Sequence, residues 1–324
     1  MNSAAQATVK SESVVTTIEM ASPVPTAKVS GFTLGLIANI IWGTSFLASK
    51  YTLVTWGPFT ASALRFAVAL IVMAAILPRL GHSLQFTLKK TVLLNLFWVA
   101  LTGFGFLYPL QLAGLNMISS GLSAAIMLTS PLFVLLLAGV LLRESISLQK
   151  VLALTFGVVG GCILLNIQNV VDHHFENVLL GSLLTLGASI SLALSVIFTR
   201  RISEEINSAP LTFWSMLIGL MLLMPFAALE TVQSGFSIGT FETWATLLYL
   251  AVICSALCFL IWNWAIAQSS PKELATTMHV KTPAAIALGA IVLGEALSFQ
   301  IIVGTLIVAF GVYLSQSEKT RGAK

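Results

Sequence analysis

The amino-acid sequence predicts an all-α polytopic membrane protein, with ten transmembrane helices arranged as an inverted 5+5 repeat. Three observations carry this reading. Of the 324 residues, 57% are hydrophobic and only 9% charged, with a mean hydropathy of +0.96. A soluble domain carries about a quarter charged residues, without which its surface cannot be covered. The apolar residues fall in runs of roughly 20, enough to cross a hydrocarbon core of about 30 Å at about 1.5 Å per residue. The second half of the chain also repeats the first.

Residues 1–30 are rich in Ser, Thr, Ala and Val, with Pro23 and Pro25 and no continuous apolar run. They read as a disordered tail rather than a signal peptide. Spans are then expected at 32–51, 58–78, 89–113, 119–142, 148–167, 179–201, 210–230, 242–267, 272–294 and 299–317. The connections are short and carry turn residues: Trp56-Gly57-Pro58, Leu80-Gly81-His82, Asn207 to Pro210, and Ser269-Ser270-Pro271. A first five-helix repeat is placed at 31–168 and a second, inverted one at 178–317, with a short tail at 318–324.

Short cytoplasmic loops retain Lys and Arg, so these residues set orientation. With ten spans, one face receives Lys10, Lys28, Arg79, Lys89, Lys90, Arg143, Lys150, Arg200, Arg201, Lys272, Lys319, Arg321 and Lys324. The other face receives only Lys50, and Arg65 and Lys281 fall inside spans. Both termini are therefore expected in the cytoplasm, with the chain in a bacterial inner (plasma) membrane.

"LLRESISLQKVLALTFGVVGG" (141–161) lies over "VLGEALSFQIIVGTLIVAFGV" (292–312), so that Glu144 falls on Glu295, Ser147 on Ser298, Gln149 on Gln300 and Gly160 on Gly311. With a one-residue gap Pro131 falls on Pro283, and Pro58 falls on Pro210. Lys50 pairs with Arg200 at the ends of the first and sixth spans. Each repeat holds an odd number of spans, so the second copy enters the membrane from the opposite side. Inverted repeats serve secondary transporters that alternate access about a midplane site; an enzyme or receptor has no physical need of them.

These residues resemble the EamA family of the drug/metabolite transporter superfamily over roughly residues 32–317. "IIWGTSFLASKYTL" (40–53) is similar to that family's first span, and "FTASALRFAVAL" (59–70) to its second. "LTSPLFVLLLAGVLLRESIS" (128–147) and "KTPAAIALGAIVLGEALS" (281–298) look like its paired Pro…Glu segments. The resemblance implies a central cavity and transport, usually export, of small metabolites such as amino acids. The chain departs from the family pattern at Met278-His279-Val280-Lys281, where apolar or small residues are more usual.

Lys281 lies about nine residues into the ninth expected span, roughly 14 Å deep. Leaving its charge in lipid would cost at least about 3 kcal/mol, so it should face the bundle interior or a wet cavity. There it would brace helices against a buried carbonyl, attract a substrate carboxylate, or lose its proton during the cycle. Pro283, two residues on, frees the carbonyl of His279 and should kink the helix, as should Pro131 in the fourth span. His279 stands nearly opposite Lys281 around the helix; it is read as a hydrogen-bonded interior residue or the carrier of a coupled proton. Trp42, Asn39, Tyr108, Gln111, Trp262 and Asn263 complete the candidate substrate-binding set, with Trp98 and Trp264 as further aromatics. Gln111 falls on Asn263 in the repeat, as inverted copies of one polar contact. Arg65 is expected to pair with Glu295 as a closing contact, and Glu144 and Glu295 to brace the two halves.

The remaining residues point away from catalysis and metals. Cys162, Cys254 and Cys258 lie in apolar runs and read as packing residues. Asp172 to Glu176, "DHHFE", reads as a solvated loop. No paired carboxylates, phosphate-cradling glycine loop or HExxH is present, so no catalytic residue, cofactor or nucleic-acid partner is expected. The partners expected are the lipid bilayer and a small-molecule substrate, carboxylate-bearing by the argument from Lys281. The pairs Gly157xxxGly161 and Gly31xxxGly35 read as close-packing surfaces.

Overall fold

A computed structural model describes residues 29–81, 84, 89–141, 147–164, 175–235, 237–269, 273–274 and 277–316. Eight helices are long and apolar enough to cross a membrane, and two shorter apolar helices complete the set. In chain order they are α1 (Gly31–Leu53), α2 (Pro58–Leu80), α3 (Lys90–Met117), α4 (Ser120–Leu141), α5 (Leu148–Leu164), α6 (Phe175–Ile202), α7 (Ser208–Ser234), α8 (Phe241–Gln268), α9 (Met278–Leu293) and α10 (Phe299–Gln316). Each expected span has its helix. The tail at 1–28, Arg143, Glu144, Lys272 and the segment 172–174 lie outside the described residues. Glu176 is described in backbone only.

The main helix pairings are matched when the two halves are exchanged. α1 packs on α8 as α6 packs on α3; α1 packs on α9 as α6 packs on α4; and α2 meets α8 as α7 meets α3. α2 with α7, α4 with α9 and α5 with α10 are self-related pairs. This is the contact pattern of an inverted repeat. Many large apolar side chains remain exposed around the outside, among them Ile71, Val140, Met221, Leu306 and Tyr313, as a lipid-facing surface requires. Cys254 and Cys258 are buried, but Cys162 is exposed on this outer surface rather than packed.

Two pairs of symmetry-related irregularities shape the centre. α3 and α8 each unwind from α to π geometry, at Leu101–Phe106 and Tyr249–Leu257. Such bulges displace the backbone bonding register and concentrate at functional sites. α4 is broken between Ser120–Met127 and Ser130–Leu141, just before Pro131.

At the matching place α9 tightens into a 3₁₀ turn at Met278–Val280 before the α-helix that starts at Lys281, two residues ahead of Pro283. Residues 273–274 and 277 are also helical, and 270–272 and 275–276 lie outside the described residues.

Close approaches occur where glycine permits them, with one change from the sequence reading. A Cβ on Gly160 would stand 2.9 Å from the Gly304 carbonyl of α10, whereas one on Gly161 would meet nothing within 4 Å. The tight pair on α5 is thus Gly157 and Gly160. Gly31 and Gly35 both pack closely, against Gln268 and against Leu274 and Thr277 respectively.

Candidate functional site

A cavity of about 480 Å³ lies between the repeats, with walls from α1, α2, α3, α4, α6, α7, α8 and α9. Thr199, Ser208, Ile266 and Met278 line it near the face where α1 begins, called here the terminal face; Ile266 is 45% exposed. Ser49, Arg65, Leu112 and Met127 line its other end and are all buried, at 3%, 4%, 4% and 3% exposure. The cavity is therefore open toward the terminal face and shut toward the far face.

Lys281 lines this cavity and is half-buried. It is the first residue of the α-helical part of α9. Its backbone is pressed against α1, where a Cβ on Gly43 would come within 2.8 Å of both the Lys281 carbonyl and Ala284. Among the described residues its ammonium has no hydrogen bond and no ion pair; the one salt bridge joins Lys89 and Glu205 at 2.8 Å, on the surface.

Arg65 is the second cation of the wall. Its Nε donates to Ser255 Oγ at 2.8 Å, and its guanidinium lies 4.9 Å from the centre of the Tyr108 ring. Ser255 is presented by the π segment of α8 and Tyr108 follows the π segment of α3, so the two irregular segments hold Arg65 between them. The expected pairing of Arg65 with Glu295 does not form. The Glu295 carboxylate is engaged at the start of α4, where unbonded helical N–H groups attract an anion more directly.

Six more candidates converge on the same space: Asn39, Trp42, Tyr108, Gln111, Trp262 and Asn263 all line it. Asn39 donates to Gly35 O and to Thr277 Oγ1 at 3.1 Å, tying α1 to the start of α9. Trp42 Nε1 donates to the Cys254 carbonyl at 3.0 Å, and its ring stands 5.4 Å from that of Trp262 and 5.7 Å from that of Phe259. Gln111 and Asn263 line the same cavity, and the Asn263 Nδ2 is buried without a partner among the described residues. Phe104, Phe259, Ser215 and Ser255 belong to the site but carry no sequence signal.

The other candidates lie elsewhere. His279 turns toward α10, its ring Nε2 3.2 Å from Gln316 Oε1, and it does not line the cavity. Trp98 stacks on Phe198 at 5.7 Å, outside it. Trp264 also does not line it.

Two carboxylates from the second repeat hold first-repeat helices at the far face. Glu295 accepts from Ser120 N at 2.8 and 2.9 Å and from Ser120 Oγ at 2.6 Å. Glu230 accepts from Thr60 N at 2.7 Å and Thr60 Oγ at 2.8 Å, capping α2. Beside them Lys50 donates to Ile118 O at 2.6 Å, and Trp56 donates to Ser237 O at 2.9 Å. Beneath this rim Phe46, Trp56, Leu112, Leu115, Met127 and Leu247 fill the interior. α7, the symmetry mate of α2, has no side-chain cap at Asn207.

The sequence matches the EamA-like transporter family model twice, over residues 29–166 and 179–316. It is 25% identical over 292 residues to the Bacillus subtilis protein named uncharacterized transporter YoaV, covering 87% of this chain and 95% of that one. It is 28% identical over 281 residues to the chloroplastic WAT1-related protein At3g02690 of Arabidopsis thaliana, covering 84% of this chain and 66% of that one. A solved crystal structure shares the fold at a TM-score of 0.60 and 16% identity, over 89% of this chain and 98% of the other. The duplicated match spans both halves of the packing and the cavity between them, and the chain belongs to the EamA-like transporter family, membrane transporters of small molecules.

Proposed function

We propose that this protein is a secondary transporter that exports small carboxylate-bearing metabolites by alternating access about the central cavity. The observation that carries this is Lys281, a cation in the cavity wall with no partner among the described residues. A buried charge without a counter-ion is costly, so such a residue is retained where a ligand supplies the missing charge. The cavity's volume and its mixed wall, in which aromatic rings such as Trp42 and Trp262 alternate with amides, hydroxyls and two cations, suit a small organic solute with a polar group. With both termini cytoplasmic, as the lysines and arginines favour, the open end faces the cytoplasm, the loading side for export.

The cycle follows from the duplication. The interior is shut at the far face by the Glu230 and Glu295 caps; exchanging the roles of the two halves closes the terminal face and opens the far one. The reading is tested by comparing external metabolites from cells producing the wild type, the Lys281→Met variant, or neither. A carboxylate-bearing solute enriched outside only with the wild type is the expected result. Enrichment of the same solute with a membrane-inserted Lys281→Met variant overturns the assignment.

A further inference from the structure

We propose that the cavity selects organic anions of net negative charge and discriminates against zwitterionic amino acids that its size would admit. The inference rests on the carrier reading above and narrows its substrate class. Arg65 and Lys281 line one cavity, and among the described residues no aspartate or glutamate lines it with them. Neither cation is in a salt bridge among the described residues. Arg65 spends its Nε on a neutral hydroxyl, Ser255 Oγ, and the fork formed by its two terminal nitrogens has no hydrogen-bond partner among those residues. That fork matches a carboxylate in two parallel bonds.

The neutral groups point the same way. Asn263 Nδ2, a donor only, is buried at the wall without a partner, and the Ser215 hydroxyl is likewise unpaired. An ammonium is disfavoured here: it would be a third cation in a confined space of low dielectric, with no carboxylate to receive it. The Cys254 carbonyl is already engaged by Trp42 Nε1, and the Tyr108 ring by the Arg65 guanidinium. A ligand carrying negative charge and an apolar body complements these walls; one that is neutral overall leaves a positive charge uncompensated.

The two cations are also placed in sequence along the cavity. Lys281 belongs to the start of α9, on the side of the terminal face, and Arg65 is buried at the closed end. An entering anion meets Lys281 before Arg65, and one with two acidic groups can engage both.

The test uses the full chain in lipid nanodiscs, read by the fluorescence of Trp42 and Trp262 in the wall. Two matched pairs serve as probes: phenylpyruvate with phenylalanine, and glutarate with glutamate. The acid without an amino group is expected to saturate the signal at a concentration at least tenfold lower than its amino partner, in at least one pair. Lys281→Met should weaken that binding tenfold or more. Arg65→Lys keeps the buried charge and removes the fork, so it is expected to weaken binding less steeply while the protein elutes as a single species.

Equal or tighter binding of the amino partners, still lost in Lys281→Met, overturns the narrowing and leaves the carrier reading intact. Binding of either class that is unchanged in Lys281→Met overturns both. Absence of saturable binding for all four compounds also overturns the narrowing.

Discussion

Glu295 caps α4: both its carboxylate oxygens take the backbone N–H of Ser120, at 2.8 and 2.9 Å, and one also takes the Ser120 hydroxyl at 2.6 Å. The contact joins residues 175 apart in sequence and one repeat to the other. Local backbone geometry brings it about. Gly294 ends α9 in the left-handed conformation, with φ of 64°, and Glu295 N turns back to Gly289 O at 3.1 Å. Gly289 leaves the room, since a Cβ there would stand 2.5 Å from Glu295 Oε2.

A carboxylate at a helix start is favoured by the unbonded N–H groups and the helix dipole, and losing such a cap costs about 0.5–2 kcal/mol. Glu295→Gln should therefore shift the equilibrium away from the far-closed state by up to about thirtyfold. A single cysteine at Ser49, in a background without native cysteines, reports this. Its labelling by an impermeant thiol reagent applied from the far side should quicken several-fold in Glu295→Gln. Unchanged labelling would mean that the cap does not hold the far face shut.

Lys281→Met separates stability from transport. The wild-type ammonium makes no bond to the described residues, so removing it forfeits no contact and relieves a half-buried charge that has no counter-ion among them. The variant is expected to unfold a few degrees higher than the wild type while losing at least 90% of transport, in keeping with function maintained against stability. A drop in the thermal midpoint would show instead that Lys281 braces the fold.

The architecture was legible because it is written in periodicities: apolar runs, short turns, an odd number of spans per repeat. Lys281 stood out as a lone cation deep in an apolar run, and the separation of His279 from it follows from helical spacing alone. Pro131 and Pro283 stand beside the irregular places in α4 and α9. The rest was not legible, for physical reasons. No residue pattern encodes the π segments at Leu101–Phe106 and Tyr249–Leu257, since inserting one residue into a helical register changes spacing without changing composition. Ser255 as the partner of Arg65, and Glu230 as the cap of Thr60, depend on packing across 190 and 170 residues. The Arg65–Glu295 pairing failed because charge alone suggested it, whereas a helix N-terminus stood closer to Glu295.

Gly43 tests whether the position of Lys281 matters and not only its charge. A Cβ on Gly43 would stand 2.8 Å from the Lys281 carbonyl and from Ala284 Cβ, at the crossing of α1 and α9. The obstruction is backbone, which cannot swing aside, so Gly43→Ala should push α9 outward at about 1–3 kcal/mol. Transport is expected to fall at least tenfold although every polar group is retained. Gly161→Ala, with nothing within 4 Å, is the control and should stay within about 0.5 kcal/mol of the wild type. Equal transport in the two variants would show that the crossing tolerates the methyl group and that Lys281 need not be held so closely.

Two serines, Ser255 beside Arg65 and Ser215 in the cavity wall, make opposite predictions, because one is bonded and the other is not. Ser255 Oγ accepts from the buried Arg65 Nε at 2.8 Å, so Ser255→Ala leaves a charged donor unsatisfied. That should cost about 1.5–3 kcal/mol in thermal or chemical unfolding, and allow the guanidinium to leave its place against Tyr108. Ser215 Oγ is buried with no partner, so Ser215→Ala removes a polar group whose burial is uncompensated and should leave stability unchanged or slightly raised. If Ser215 serves the substrate, its loss should appear instead as weaker apparent affinity, with the maximal rate preserved. Measuring unfolding and transport side by side for both variants distinguishes a hydroxyl that positions Arg65 from one kept open for a ligand. Equal destabilisation by the two substitutions would contradict the geometry described for both.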